Sequence, residues 1–111
     1  MNIRGGYMIY RTWEEINRIE DGKRVWACAY ERDGEFLKRH SKPVYGIMDS
    51  YRHQFCQLTK KGTPSSRHVH FYSRYYADTE AECKELYNSL IEESIQKYEK
   101  CIEECRKDIL I

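Results

Sequence analysis

From Thr79 to Asp108 the chain runs about thirty residues without Gly or Pro, and strong helix formers fill the stretch. Within it Cys83, Leu86, Tyr87, Leu90, Ile91, Ile95, Tyr98, Ile102, Cys105 and Ile109 recur at steps of mostly three and four. That spacing stacks them as one apolar stripe on a helix and leaves Glu, Lys and Gln on the opposite face. Thr79 with Glu82 forms a capping box at its start, with Asp78 as a rival N-cap. Such a helix reaches ~45 Å at 1.5 Å per residue, more than a domain of this size needs for itself. Its far half is therefore expected to pack on a second helix or a second copy of the chain.

Upstream the period changes from helical to alternating. Tyr7 to Tyr10 is a short apolar run that suits an edge strand. Thr12 and Glu15 make a second capping box, and Trp13, Ile16 and Ile19 predict a short helix over 13–20 that packs Trp13 and Ile16 on the sheet. Asp21-Gly22 ends it. Strands are expected at Arg24–Tyr30 and Glu35–His40, joined by an Asp33-Gly34 hairpin turn. After an interruption at Pro43, further strands are expected at Val44–Met48, Tyr51–Thr59 and Arg67–Tyr76. Lys60 to Ser66 reads as an exposed, basic, mobile loop. The organisation is one α+β domain. An antiparallel meander of about five or six strands (1–77) is followed by a helical part (78–110) that covers one face of the sheet. No repeat, linker or low-complexity tail divides it.

Composition narrows the function classes. In 111 residues, nineteen basic against eighteen acidic side chains give a net charge of +1. That excludes an acidic DNA mimic and a generally basic nucleic-acid binder. Arg and Lys nevertheless dominate from Lys23 to Arg74, and a locally basic sheet suits a small anionic ligand. The ten tyrosines are strand formers first and a stacking platform for bases second. The five cysteines, Cys28, Cys56, Cys83, Cys101 and Cys105, are an odd number with no C-x-x-C pair, and no hydrophobic signal segment precedes them. Reduced, buried thiols in a cytoplasmic protein are the simplest reading. No apolar run approaches a membrane span.

Candidate chemistry is sparse. His68 and His70 face the same way on a strand, yet a metal needs a third ligand such as His53 or His40, and exposed strand histidines are the simpler reading. Cys56 and His53 would face opposite sides of a strand. Ser65 and Ser66 read as turn residues, and no phosphate-cradling glycine loop is present. With neither nucleophile, base nor metal set, no enzyme is indicated and no cofactor is implied. Arginines beside aromatics stand out more: Arg24 near Trp26, Arg52 after Tyr51, and Arg74 before Tyr75-Tyr76, with Arg106 near the end of the long helix. Guanidinium forks match phosphate oxygens and stack on rings, and Asn88 can donate and accept as a base or ribose requires. Solvated surface arginines and a polar helix-flank residue are the plainer alternative.

The order of these pieces is a strand-rich part ending in Phe71-Tyr72-Ser73-Arg74-Tyr75-Tyr76-Ala77-Asp78-Thr79, then Leu86-Tyr87-Asn88 on the helix. It resembles the Thoeris anti-defence sponge proteins of phages, which sequester cyclic ADP-ribose signals without cleaving them. The resemblance is one of architecture over nearly the whole chain, carried by short motifs. It implies a ligand site with Arg24 and Arg52 on the diphosphate, Tyr76 or Tyr75 under the adenine, Asn88 from the helix and Arg106 near the C-terminus. It further implies a homo-oligomer with sites formed between subunits, and in some relatives separate sites for cyclic oligonucleotides. Two other classes fit the same residues. One is an inhibitor acting by direct protein contact, as anti-CRISPR proteins do. The other is a small RNA-binding domain that stacks bases on Tyr72 and Tyr76.

Overall fold

The structure, a computed structural model, describes residues 8–29 and 41–110. The Asp33-Gly34 turn, the strand expected at Glu35–His40 and the first seven residues lie outside them. Among the described residues six strands form one antiparallel sheet: β1 (Ile9–Tyr10), β2 (Arg24–Ala29), β3 (Ser41–Asp49), β4 (Gln54–Leu58), β5 (Pro64–His70) and β6 (Tyr75–Ala77). Two α-helices accompany it, α1 (Trp13–Asn17) and α2 (Glu80–Lys107), with a 3-10 turn at Phe71–Ser73. The α+β class with a long C-terminal helix is as expected. No helix among the described residues is long and apolar enough to cross a membrane.

Strand order is β1-β6-β2-β3-β4-β5, so β2 to β5 run as a meander while β6 returns to lie between β1 and β2. The expected continuous strand Arg67–Tyr76 is therefore two strands broken by the 3-10 turn. In a flat sheet β5 and β6 would stand four strand spacings apart, about 19 Å. The few residues joining His70 to Tyr75 reach ~17 Å at full extension and less through a 3-10 turn. The sheet must curl for β6 to be reached at all. Phe71, at the crossing, is swallowed by the concave face, where it packs with Tyr10, Ile16, Ile19, Val25, Ala27, Met48, Phe55 and Tyr76.

Alternation along β2 and β6 divides the core in two. Val25, Ala27 and Tyr76 face the concave side, while Cys28 and Ala77 face α2, joining Cys83, Leu86 and Leu90 from its first turns. Burying Leu86 and Leu90 contributes roughly 2 kcal/mol each to holding the helix on the sheet. Thr79 caps α2 by accepting from the Glu82 amide, and the Thr12–Glu15 capping box of α1 is complete.

Three local expectations change. Pro43 lies within β3 rather than interrupting it, because the β2–β3 register shifts between Ala27 and Ala29 and a bulge accommodates the missing donor. The basic loop is a tight hairpin: Thr59 N donates to Thr63 O, Gly62 N donates to Thr59 O, and β5 already begins at Pro64. Trp13 does not pack on the sheet. Ile16 and Ile19 are buried, whereas Trp13 at the first helical position is 64 % exposed.

The apolar stripe of α2 is two faces, not one. Cys83, Leu86 and Leu90 are buried against the sheet. From Ile91 the apolar residues follow strict alternating steps of four and three, through Ile95, Tyr98, Ile102 and Cys105 to Ile109. At 3.6 residues per turn the second face is rotated by about 100° from the first. The Arg11–Glu93 ion pair at 3.2 Å ties the middle of the helix to the globule. Beyond it α2 projects about 20 Å into solvent, and residues 99–110 are all exposed. The Cα radius of gyration is 16.7 Å, against about 13 Å for a compact chain of this length.

Candidate functional site

The six residues expected at a ligand site do not converge within one chain. Arg24 is exposed at the start of β2, and its guanidinium makes no hydrogen bond or ion pair among the described residues; it lies beside Gly62 of the β4–β5 hairpin. Arg52, in the β3–β4 turn, is held through its backbone N–H and a 3.8 Å ion pair to Asp49, with its side chain 78 % exposed. Tyr75 lies under the Arg11 guanidinium on the α2 side of the sheet. Tyr76 is fully buried, and its hydroxyl donates to Phe71 O at 2.6 Å. It is a core residue whose ring offers no face to a ligand. Asn88 and Arg106 are both exposed on α2, eighteen positions and therefore about 27 Å apart.

What the fold does assemble is a run of rings at one end of the curled sheet. Trp13 stacks on Tyr72 with centroids 5.1 Å apart and planes 22° from parallel. Tyr72 leans on Phe71 at 4.2 Å, and Phe71 stacks with His53 at 5.0 Å. His70 closes the group, 5.6 Å from Tyr72 and 6.4 Å edge-on to His53. Each ring is held. Tyr72 donates its hydroxyl to Asn17 Oδ1, one turn after Trp13 on α1. His70 Nδ1 accepts from Tyr72 N and caps the 3-10 turn, which leaves its Nε2–H as the outward donor. His53 sits in a left-handed conformation with φ 54°, its carbonyl accepting from Phe71 N. For a non-glycine residue that geometry stores strain, as binding sites often do. Beside His53 stand Arg52 and Tyr51, the latter 87 % exposed. The exposed Trp13 ring and the half-buried Tyr72, with the His53 and His70 imidazoles in the same group, match a planar base bearing an anionic tail.

Sequence reasoning missed this group because its halves are distant in the chain. The signal was the density of rings in His68–Tyr72 and Tyr51–His53; the link is the β4–β5 register, which sets Gln54 opposite His70. The metal reading gains nothing here. Among the described residues no three His, Cys, Asp or Glu side chains converge as a metal set, and His40 lies outside them.

A second polar cluster lies at the α2 N-terminus. Tyr10 donates to Asp78 Oδ1 at 2.9 Å, and Lys23 reaches Tyr10 Oη and Asp78 Oδ1 at 3.0 Å each. It adjoins a hollow of about 550 Å³ also bordered by Met8, Arg18 and Asp21. Burial raises the Tyr10 pKa above its usual 10.0. Burial alone lowers that of Lys23, but its bonds to Tyr10 and Asp78 overcome this and leave it raised above 10.5. Both groups therefore hold protons more tightly folded than unfolded. Their contribution to stability is complete below about pH 10 and is lost as pH rises further. Burial pushes Tyr76 the same way. The thermal midpoint is expected to be insensitive to these groups between pH 7 and 9 and to fall steeply above pH about 10. A midpoint that climbs through pH 10 contradicts these assignments.

Three of the five cysteines are buried. Cys28 and Cys83 are buried together beneath α2. The Cys83 thiol, hydrogen-bonded to Cys28, lowers the Cys28 pKa, with burial opposing and the Arg74 and Arg11 charges assisting, while the same bond and burial raise that of Cys83. Cys56 is buried and donates to Ser65 O. Cys101 and Cys105, expected to be buried, are exposed on the projecting part of α2, and all five cysteines are unbridged.

Fold and site together define an α+β domain with a curled antiparallel sheet, a cluster of rings around Trp13 and Tyr72 and a projecting helix. Comparison of the chain with protein-family models, with characterised proteins and with solved structures finds no match.

Proposed function

We propose that this protein is a non-catalytic nucleotide-binding protein. It captures a cyclic ADP-ribose-type signal stoichiometrically and leaves it uncleaved, as a phage anti-defence sponge in the cytoplasm of an infected bacterium. The observation that carries the reading is the stack of exposed Trp13 on half-buried Tyr72, linked through the buried Phe71 to the ring of His53, the residue next to Arg52 in the chain. The adenine stacks at the Trp13 end. Arg52, with the outward Nε2–H of His70, takes the phosphates. Arg52 is the one residue of the expected ligand set that neighbours a member of this ring group in the chain; Tyr76 gives way to Trp13 and Tyr72 as the stacking partner. Capture silences a signal needed at about 1 μM only when binding is stronger than about −8 kcal/mol.

The test is calorimetry with ADP-ribose, its cyclic isomers and a short oligoribonucleotide. One of the ADP-ribose-type ligands is expected to bind at or below about 1 μM and to be recovered intact after heating the protein. Trp13→Ala is expected to weaken it by about 5- to 100-fold, as losing a stacked base at ~1–3 kcal/mol implies, and Arg52→Ala to weaken it as well. Neither change should move the thermal midpoint appreciably, since both side chains are exposed. Absence of binding to every nucleotide sinks the reading, as does binding indifferent to Trp13. Tight oligoribonucleotide binding with steep salt dependence replaces it with RNA recognition.

A further inference from the structure

We propose that the projecting half of α2 is a self-association surface, on which a second copy of this chain packs its own α2 in the antiparallel sense. The proposal stands apart from the ligand reading above. Its basis is the second apolar face. Ile91, Ile95, Tyr98, Ile102, Cys105 and Ile109 keep the alternating four-and-three spacing of a coiled-coil seam. Ile95, Ile102 and Ile109 on it are 43, 52 and 69 % exposed. A hollow of about 490 Å³ opens along the same face between Tyr98, Ile102, Cys105 and Ile109. A helical end exposed throughout residues 99–110 is marginal in water, so the seam needs a cover.

Charge identifies the cover and its direction. With the seam residues as a and d positions, Glu92, Glu99 and Arg106 fall at e, and Ser94, Cys101 and Asp108 at g. In an antiparallel pair, e faces e and g faces g. Setting Tyr98 against Ile102 of the second copy also sets Ile95 against its Cys105 and Ile91 against its Ile109. Every apolar layer is then filled over about 27 Å. The same register places Glu92 beside Arg106 of the second copy, twice by symmetry. Among the charged residues at e and g only Glu99 meets its own equivalent, near the axis, where it is free to turn outward. A parallel pair sets g against e, which matches Ser94 with Glu99 and Cys101 with Arg106 and forms no ion pair. The antiparallel arrangement also opposes the two helix dipoles. Cys101 then lies across the two-fold axis from its own copy, while the two Cys105 residues stand about 15 Å apart along the helices. Asn88 and Arg106, remote in one chain, come within about one helical turn of each other between copies.

Light scattering and sedimentation on the intact chain are expected to give twice the 13.4 kDa monomer mass. Ile102→Lys should give a folded monomer, its sheet reporting an unchanged unfolding signal. Glu92→Arg or Arg106→Glu alone should weaken the dimer about tenfold, and the two together should restore it. A short bis-maleimide should join copies of Cys105→Ser through Cys101 but leave Cys101→Ser unjoined. A monomer at about 100 μM overturns the proposal. Failure of the double charge reversal to restore the dimer, or crosslinking through Cys105 alone, overturns the antiparallel register.

Discussion

Gly46→Ala is expected to cost at least about 3 kcal/mol, a large share of the ~5–15 kcal/mol that holds a domain of this size folded. Gly46 lies inside β3, opposite Gln57 of β4, where a side chain would ordinarily be welcome. A Cβ there would stand 2.3 Å from the Phe55 ring and 2.5 Å from the Cys56 carbonyl oxygen. The ring fills the space a side chain would occupy, and the concave core is built around it. Because one of the two clashes is with backbone, rotation of Phe55 cannot relieve the strain, and β3 and β4 must part. Urea denaturation provides the measurement, read as the midpoint at constant slope. Phe55→Leu in the Gly46→Ala background should recover part of the loss and never all of it. A Gly46→Ala protein within about 1 kcal/mol of wild type shows that the strands open more easily than this packing allows.

Tyr76→Ala is expected to cost about 3–5 kcal/mol, as removal of a fully buried aromatic ring does. Tyr76→Phe separates the ring from its hydroxyl. Its cost of about 1–3 kcal/mol is that of leaving the buried Phe71 carbonyl without its 2.6 Å partner. That carbonyl belongs to the 3-10 turn from which Tyr72 reaches Trp13, so the variant should also loosen the ring surface. Thermal and urea unfolding give the cost. Circular dichroism in the aromatic region reports the Trp13–Tyr72 stack. Were Tyr76 a ligand-facing ring, the Phe variant would leave stability untouched, which is the opposite outcome.

The comparison of these two positions shows what could be read in the chain. Local rules carried far. The capping residues Thr12 and Thr79, the span of α2 and the presence of β2, β4 and β5 follow from short-range chemistry, and each is in place. Long-range rules did not. Nothing near Gly46 announces that Phe55 will lie over it, and the alternation through Arg67–Tyr76 gives no warning that Phe71 leaves the strand to enter the core. Trp13 shows the same limit from the other side. Its spacing with Ile16 and Ile19 suits a buried face, yet the curled sheet has room only for the two isoleucines. The expected ligand residues failed to meet for a related reason: Arg24, Arg52 and Asn88 have the right chemistry, and topology distributes them over three surfaces. The end of the apolar stripe was legible as unsatisfied, but its rotation about α2 emerges only once the packed residues are told from the exposed ones.

The place of β6 bears on how the chain comes into being. The last strand to be synthesised lies between β1 and β2, so neither of those strands acquires its neighbour on that side until residue 77 has been made. A nascent chain ending short of Phe71 carries a β2 edge with open backbone groups, and the concave core lacks its Phe71 and Tyr76 plug. Folding must wait for contacts of long sequence separation, which places this small domain among slow folders for its length. During that wait the open edge is the part of the molecule most exposed to mispairing and most in need of chaperone cover.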